Sequence, residues 1–404
     1  DLMKSQKKQS RKYSKFDLSD TSFIDSNKNT IFSGYVDHEL SSKVIGMYHN
    51  KKKIKNFDEL NTELLVVVES TPFYPEGGGQ ISDIGKIEND SCSLLVTNVQ
   101  KINNVIVHQV TIESGSISIG DDIFLKINTK RREKIAANHS STHLLNQALR
   151  DVLGEHVEQK GSLVTDKYLR FDFSHNKTLT LEEIRKIETI ISFEIDSDRD
   201  TRQKISSYKD ALKSGALAFF DEKYSDDVRV VNIGTKSMEL CGGTHVSKTS
   251  SIRLFKILSE SSVSTGIRRI EAITGEEAYH SYQTLYDKTK EISKFLNVKP
   301  TDLHKKIIDM KESESLKLTQ FNELGKKLAK LYLKNLDSSE LNDSKTRLYL
   351  ADCSDIEINQ IKIVSDLIKN QYENSISVLL KKDQEVINCY VGVSKQCKHR
   401  YNAK

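Results

Sequence analysis

Tryptophan is absent from this 404-residue sequence, proline occurs only three times and cysteine only five times. Cys92, Cys241, Cys353, Cys389 and Cys397 are too few and too scattered for a disulfide scaffold, which excludes the small disulfide-stapled class. A reducing compartment is the better match, and a cytoplasmic location is the expectation. No apolar run approaches the length of a membrane-spanning helix, and no signal peptide opens the chain. A large excess of one charge is missing too. The net charge of +4 argues against wholesale binding of a polyanion but leaves room for local basic patches. The chain lacks an initial Met and stops at "KHRYNAK" without a closing element, as expected of a piece of a longer protein.

What is there is globular and polar, with 37% hydrophobic and 29% charged residues. The length suits two to four domains. The patterning predicts an α+β multidomain chain in five parts. Residues 1–30 are lysine-rich and weakly patterned, and read as a helical tail or linker. Residues 31–128 carry strand signals, "ELLVVVEST", "SLLVTNVQ", "NVIVHQVTI" and "DDIFLKIN", separated by Gly and Asn turns, and predict a small antiparallel β-barrel. Within them lies "TPFYPEGGGQ". Residues 129–275 form an α+β unit. It opens with the amphipathic helix "RREKIAANHSSTHLLNQALRDVLG", for which Gly154 is the stop. A second helix begins at a Thr180–Glu183 capping box. Residues 276–340 are glycine-poor and helical, broken near Pro300. Phe321, Leu324, Leu328 and Leu331 repeat there like the seam of a helical hairpin or coiled coil. Residues 341–404 read as strand–helix–strand–strand, a small α/β domain cut short.

The chemistry concentrates in two places. "MELCGGTH" puts Cys241 and His245 four residues apart, and "NHSSTH" puts His139 and His143 at i and i+4 on one face of a helix. Together they make a His₃Cys set suited to tetrahedral Zn²⁺. The two pairs lie about a hundred residues apart, so the fold must bring helix and loop together. Gly242 and Gly243 would let the loop curl around an ion. A metalloprotease helix would read H-E-x-x-H, with Glu as general base. Ser140 stands at that Glu position, so the peptidase reading fails.

The blocks "TPFYPEGGGQISDIG", "NHSSTHLLNQALRDVLGEHVEQKGSLV", "LRFDFSH", "FDEKYSDDVRVV", "ELCGGTHV" and "SESSVSTGIRRIEAITG" occur in an order that resembles the editing domain of alanyl-tRNA synthetases. The flanking segments resemble the same family's tRNA-recognition tail, helical linker and C-terminal domain. The resemblance implies a zinc-dependent editing core at 129–275 that hydrolyses mischarged Ser-tRNA(Ala) and Gly-tRNA(Ala). An alanine pocket cannot exclude glycine by size and rejects serine only modestly, so a second, hydrolytic site is needed. The implied partners are tRNA(Ala) and an N-terminal aminoacylation domain that has no counterpart in this sequence. ATP and Mg²⁺ would belong to that absent half.

The resemblance makes Gln159 the substrate-contacting catalytic candidate. Gly77, Gly78, Gly79 and Gln80 would line the cleft, and Thr244 would touch substrate or bond locally. Lys130, Arg131, Arg132, Lys160, Arg268 and Arg269 are the candidates for tRNA phosphate, which favours local basic clusters. His108, His156, His175 and His280 read as core or surface residues. Zinc could activate water or only position substrate. A free-standing trans-editing deacylase and a non-catalytic zinc-stabilised tRNA-binding module are the competing readings. The threonyl synthetases, which carry a similar metal constellation, stay open as relatives.

Overall fold

A computed structural model describes residues 21–25, 28–218, 226–341, 345–383 and 386–401. The lysine-rich stretch 1–20 and residues 220–225 of the "FDEKYSDDVRVV" block lie outside the described residues. The chain forms two compact units, one ending at Leu285 and the other starting at Tyr286. Among the described residues no helix is long and apolar enough to cross a membrane.

Six antiparallel strands build the first layer. Strands β1 (Glu39–His49), β2 (Glu63–Val68), β3 (Gly85–Asn89), β4 (Cys92–Ile102), β5 (Val105–Gly115) and β6 (Asp122–Ile127) pair antiparallel in the order β6-β3-β4-β5-β2-β1. Pairing of β6 back onto β1 closes the barrel. In β6 the residues Ile123, Leu125 and Ile127 point inward while Asp122, Phe124 and Lys126 stay exposed, as a period of two requires. Met47, Val66, Val68, Ile87, Leu94, Val96, Val110 and Leu125 fill the interior. The expected barrel is therefore present. Its strands β1 and β3 carry no strong apolar alternation and lie outside the four segments with strand signals.

Asn128 then caps helix α1 (Thr129–Leu153), accepting a hydrogen bond from the Arg131 N–H. The helix stops at Gly154, whose φ of 115° is a glycine conformation. Helix α2 (Leu181–Asp196) begins at the Thr180–Glu183 capping box foreseen from sequence. These helices pack with a four-stranded antiparallel sheet. It comprises β7 (Gln159–Val164), β8 (Leu169–Ser174), β12 (Phe255–Ser264) and β13 (Ile267–Thr274), ordered β7-β8-β13-β12. Leu145, Leu149, Phe171, Phe173, Ile187, Ile191 and Ile270 form the shared core. A second sheet joins β9 (Arg202–Ser207), β10 (Asp227–Ile233) and β11 (Ser237–Leu240), and β11 delivers the chain to Cys241. Helix α3 (Tyr208–Lys213) packs beside β9 and β10.

Helix α4 (Gly275–Phe295) carries the boundary between the units. In the second unit, α5 (Leu303–Lys334) and α6 (Ile358–Gln371) accompany a sheet of β14 (Ser338–Glu340), β15 (Arg347–Asp352), β16 (Ser375–Asp383) and β17 (Val386–Val393). Of these pairings, β15–β16 is parallel. The expected seam on α5 needs correction. Phe321, Leu324, Leu328 and Leu331 are all exposed. The buried face is Gly325, Ala329 and Leu333, clustered with Ile361, Val364 and Ile368 of α6. Small residues let the two helices approach closely, and that decides which face is covered.

Candidate metal centre

Helix α1 is unusual in what it buries. Asn138, His139, Ser140, Ser141, Thr142, His143 and Asn146 all lie inside, where unpaired polar groups are costly. One of them locks the helix in place. Asn138 donates to the Thr165 carbonyl at 2.8 Å and accepts from Thr274 Oγ1 at 2.8 Å. The i, i+4 spacing stacks the rings of His139 and His143 with centroids 5.3 Å apart. The loop after β11 brings Cys241 and His245 against them. One ligand atom from each of the four residues lies within 4.8 Å of every other. His139 Nε2 and His245 Nε2 stand 3.4 and 3.3 Å from Cys241 Sγ.

Gly243 is required here, because a Cβ would overlap the His139 ring. The Gly243 N–H donates to Cys241 Sγ at 3.4 Å. Outside the loop, Arg229 donates to the carbonyls of Cys241 and Gly243 at 3.0 and 2.8 Å. Its guanidinium lies over the Tyr35 ring at 4.0 Å, and Tyr35 Oη donates to the Gly242 carbonyl at 2.7 Å. The loop is thus clamped from β10 and from the segment before the barrel.

The other nitrogen of each imidazole has its own partner. His139 Nδ1 lies 2.7 Å from Gln80 Oε1, His143 Nδ1 lies 2.6 Å from Glu239 Oε2, and His245 Nδ1 lies 3.2 Å from Ser140 Oγ. Glu239 is buried and also accepts from Asn146 Nδ2 at 3.0 Å. Metal-bound histidines characteristically have such outer partners.

Burial disfavours a thiolate at Cys241, but His139, His245 and His143 outweigh it and hold the thiol well below its ordinary pKa. Burial likewise opposes charge on His143, yet Glu239 and then Cys241 raise it to about 10. Burial takes His245 down to about 3, against the pull of Cys241. A thiolate-favouring cysteine set among three histidines suits a soft-to-borderline divalent cation. Both nitrogens of His143 are buried without a well-aligned hydrogen-bond partner among the described residues; Nδ1 has the Glu239 carboxylate at 2.6 Å, and a metal would supply the partner that Nε2 lacks. The set is consistent with zinc.

The other expected site residues fall in different places. Gly77 and Gln80 exchange backbone hydrogen bonds of 3.1 and 3.0 Å across a turn in which Gly78 and Gly79 have φ of 56° and 81°. This turn docks on β7 through Val164 N–H to the Gly79 carbonyl at 2.7 Å. Gln80 and Thr244, expected to meet substrate, are buried and bonded to each other, Gln80 Nε2 donating to Thr244 Oγ1 at 3.0 Å. Gln159 opens β7 half-buried, its amide donating to Ser162 Oγ at 3.3 Å.

Among the basic residues, Lys130 is exposed and Lys160 is exposed but paired with Glu158 at 2.7 Å. Arg131 is half-buried, bonded to the Ser82 carbonyl at 2.7 Å and 3.5 Å from Asp166. Arg132 is a correction. It is buried in an ion pair with Asp83 and also donates to the carbonyls of Gly34 and Pro72, tying α1 to the barrel. Arg268 and Arg269 are likewise committed, to Glu260 and to Asp172, the latter through two bonds of 2.7 Å.

Sequence reasoning missed Glu239, Tyr35 and Arg229. Glu239 had a signal, an acid two residues before Cys241 in "MELC". Tyr35 had none, since 207 residues separate it from Gly242.

Two matches to known families complete the picture. Residues 1–131 match the model of tRNA synthetases class II (A). Residues 228–271 match the model of the threonyl and alanyl tRNA synthetase second additional domain. The second match contains both Cys241 and His245.

Proposed function

We propose that this chain, which is alanyl/threonyl-tRNA synthetase-like, hydrolyses the aminoacyl ester of wrongly charged tRNA. Ser-tRNA(Ala) is the leading substrate, with Gly-tRNA(Ala) second. Convergence of His139 and His143 on Cys241 and His245, the pair inside the editing-type match at 228–271, carries the reading.

Zn²⁺ held there would supply a fixed positive charge for orienting or polarising an ester. The chain's own residues hold the centre in shape. Arg229 and Tyr35 fix the Cys241–Gly243 backbone from outside, and Asn138 fixes α1 from beneath. Gln159 lies beside the glycine turn through Ser162 and is the side chain proposed to meet the substrate. Lys130 and Lys160, exposed on the same unit, are the retained candidates for phosphate.

The test is ester loss from Ser-tRNA(Ala), Gly-tRNA(Ala) and Ser-tRNA(Thr), with Ala-tRNA(Ala) as control. Rapid loss of the first and sparing of the control is expected. Preference for Ser-tRNA(Thr) would move the reading to the threonyl branch. No loss above the spontaneous rate from zinc-loaded protein would end the hydrolytic reading. Four protein ligands saturate tetrahedral zinc, which favours a second reading, a zinc-stabilised tRNA-binding module without turnover. Tight tRNA binding with no ester loss would select it.

A further inference from the structure

The geometry points to Gln80, a residue of the barrel's glycine turn, as the positioning residue that sets the metal-binding tautomer of His139. Gln80 is fully buried. Its Oε1 lies 2.9 Å from the Thr244 backbone N–H and 2.7 Å from His139 Nδ1, and its Nε2 lies 3.0 Å from Thr244 Oγ1. A backbone N–H can only donate, so the atom facing Thr244 N must be the amide oxygen. That removes the ambiguity of amide orientation. An oxygen accepts only, so His139 must carry its proton on Nδ1. The lone pair is then on Nε2, the nitrogen that stands 3.4 Å from Cys241 Sγ.

One amide therefore does two things. It fixes the ring of a ligand on α1, and it holds the Cys241–His245 loop through Thr244. Gln80 is itself held by the Gly77–Gln80 backbone pair and by Ile81 N–H to the Val164 carbonyl at 3.1 Å. The barrel thus reaches into the metal centre through a neutral side chain. Glu239 and Ser140 have the corresponding places at His143 and His245, but each comes from the core that carries the ligands. This inference rests on the metal reading of the site and not on the identity of any ester.

Histidine-selective ¹⁵N labelling and long-range ¹H–¹⁵N spectra of the zinc-loaded chain read the tautomer directly. His139 protonated on Nδ1 with zinc on Nε2 is expected, and the reverse overturns the proposal even if no variant folds. Chelator competition then measures zinc affinity. Gln80→Leu should weaken it roughly 10–100-fold, the usual effect of losing an outer partner. Gln80→Glu keeps the acceptor and should stay within a few-fold of the parent. Cobalt spectra should show the same ligand set in both. Parental affinity in Gln80→Leu, or equal loss in both variants, overturns the proposal. A chain that shows the expected tautomer and affinities but hydrolyses no ester upholds this inference while sinking the hydrolytic function.

Discussion

Helices α1 and α5 invert each other. Helix α1 buries Arg132, Asn138, His139, Ser140, Thr142, His143 and Asn146, whereas α5 leaves Ile307, Met310, Leu316, Phe321, Leu324, Leu328 and Leu331 exposed. Hydropathy alone ranks them the wrong way round. Burying polar groups is tolerated only where partners are supplied: Arg132, Asn138, His139, Ser140, His143 and Asn146 each have one from another element, and Thr142 bonds back to the Asn138 carbonyl of its own helix. The lesson is that buried polarity marks where the chain holds chemistry. An exposed apolar stripe at heptad spacing marks only a pattern, since Gly325, Ala329 and Leu333 make the real contact.

The largest effect is expected on the polar helix. Cys241→Ala should take zinc content, read by elemental analysis, from stoichiometric to near zero, with ester hydrolysis lost in parallel. Retention of metal at the parental level would mean that the four residues do not act as one site. Next comes Arg132→Met, which leaves the Asp83 carboxylate buried without its partner. A cost of about 3–5 kcal/mol in denaturant unfolding is expected, with much of it recovered in the double variant Arg132→Met/Asp83→Leu. An effect under about 1 kcal/mol would show the pair to be replaceable by packing alone.

The barrel supplies an intermediate case. His108 is buried there, with Nε2 2.8 Å from Thr71 Oγ1 and Nδ1 3.1 Å from the Val66 carbonyl. Burial lowers its pKa to about 4, partly offset by the Val66 carbonyl. The folded state keeps this ring neutral, whereas the unfolded chain protonates it near 6.5. Its contribution is therefore complete above about pH 6.5 and is lost as the pH falls towards about 4, on the order of 3 kcal/mol in all. Unfolding free energies of parent and His108→Gln, compared across that window, should converge as the pH falls. Parallel curves would rule out this residue as the source. The smallest effect belongs to the apolar helix. Leu324→Gln should change stability by less than about 0.5 kcal/mol. Ala329→Leu, on the buried face of the same helix, should cost about 1–3 kcal/mol by overpacking against α6. The opposite ranking would restore the seam read from the heptad spacing.

Much of this was legible without coordinates. The alternation in "DDIFLKIN", the Thr180–Glu183 cap and the Gly154 stop are local signals, and each produced the element it implies. Strand β1 was not legible. "ELSSKVIGMYH" alternates weakly, and it is a strand because β2 and β6 pair with it on either side. The basic residues show the same limit. Charge is written in the sequence, but whether an arginine faces solvent is not. Lys130 is exposed while Arg132, two residues on, is buried against Asp83.

The four metal-ligand candidates were determined by the sequence itself, because i, i+4 spacing and a glycine-flanked cysteine constrain geometry within a few residues. Their meeting was decided by tertiary structure, and so was everything that orients them. Gln80 lies 59 residues from His139 and Glu239 lies 96 from His143, and no local periodicity links positions so far apart. Hydrogen bonds across such distances exist only after the barrel, α1 and β11 have packed. Which nitrogen of each histidine is free for metal is therefore a property of the fold, written on top of ligands that the chain already names.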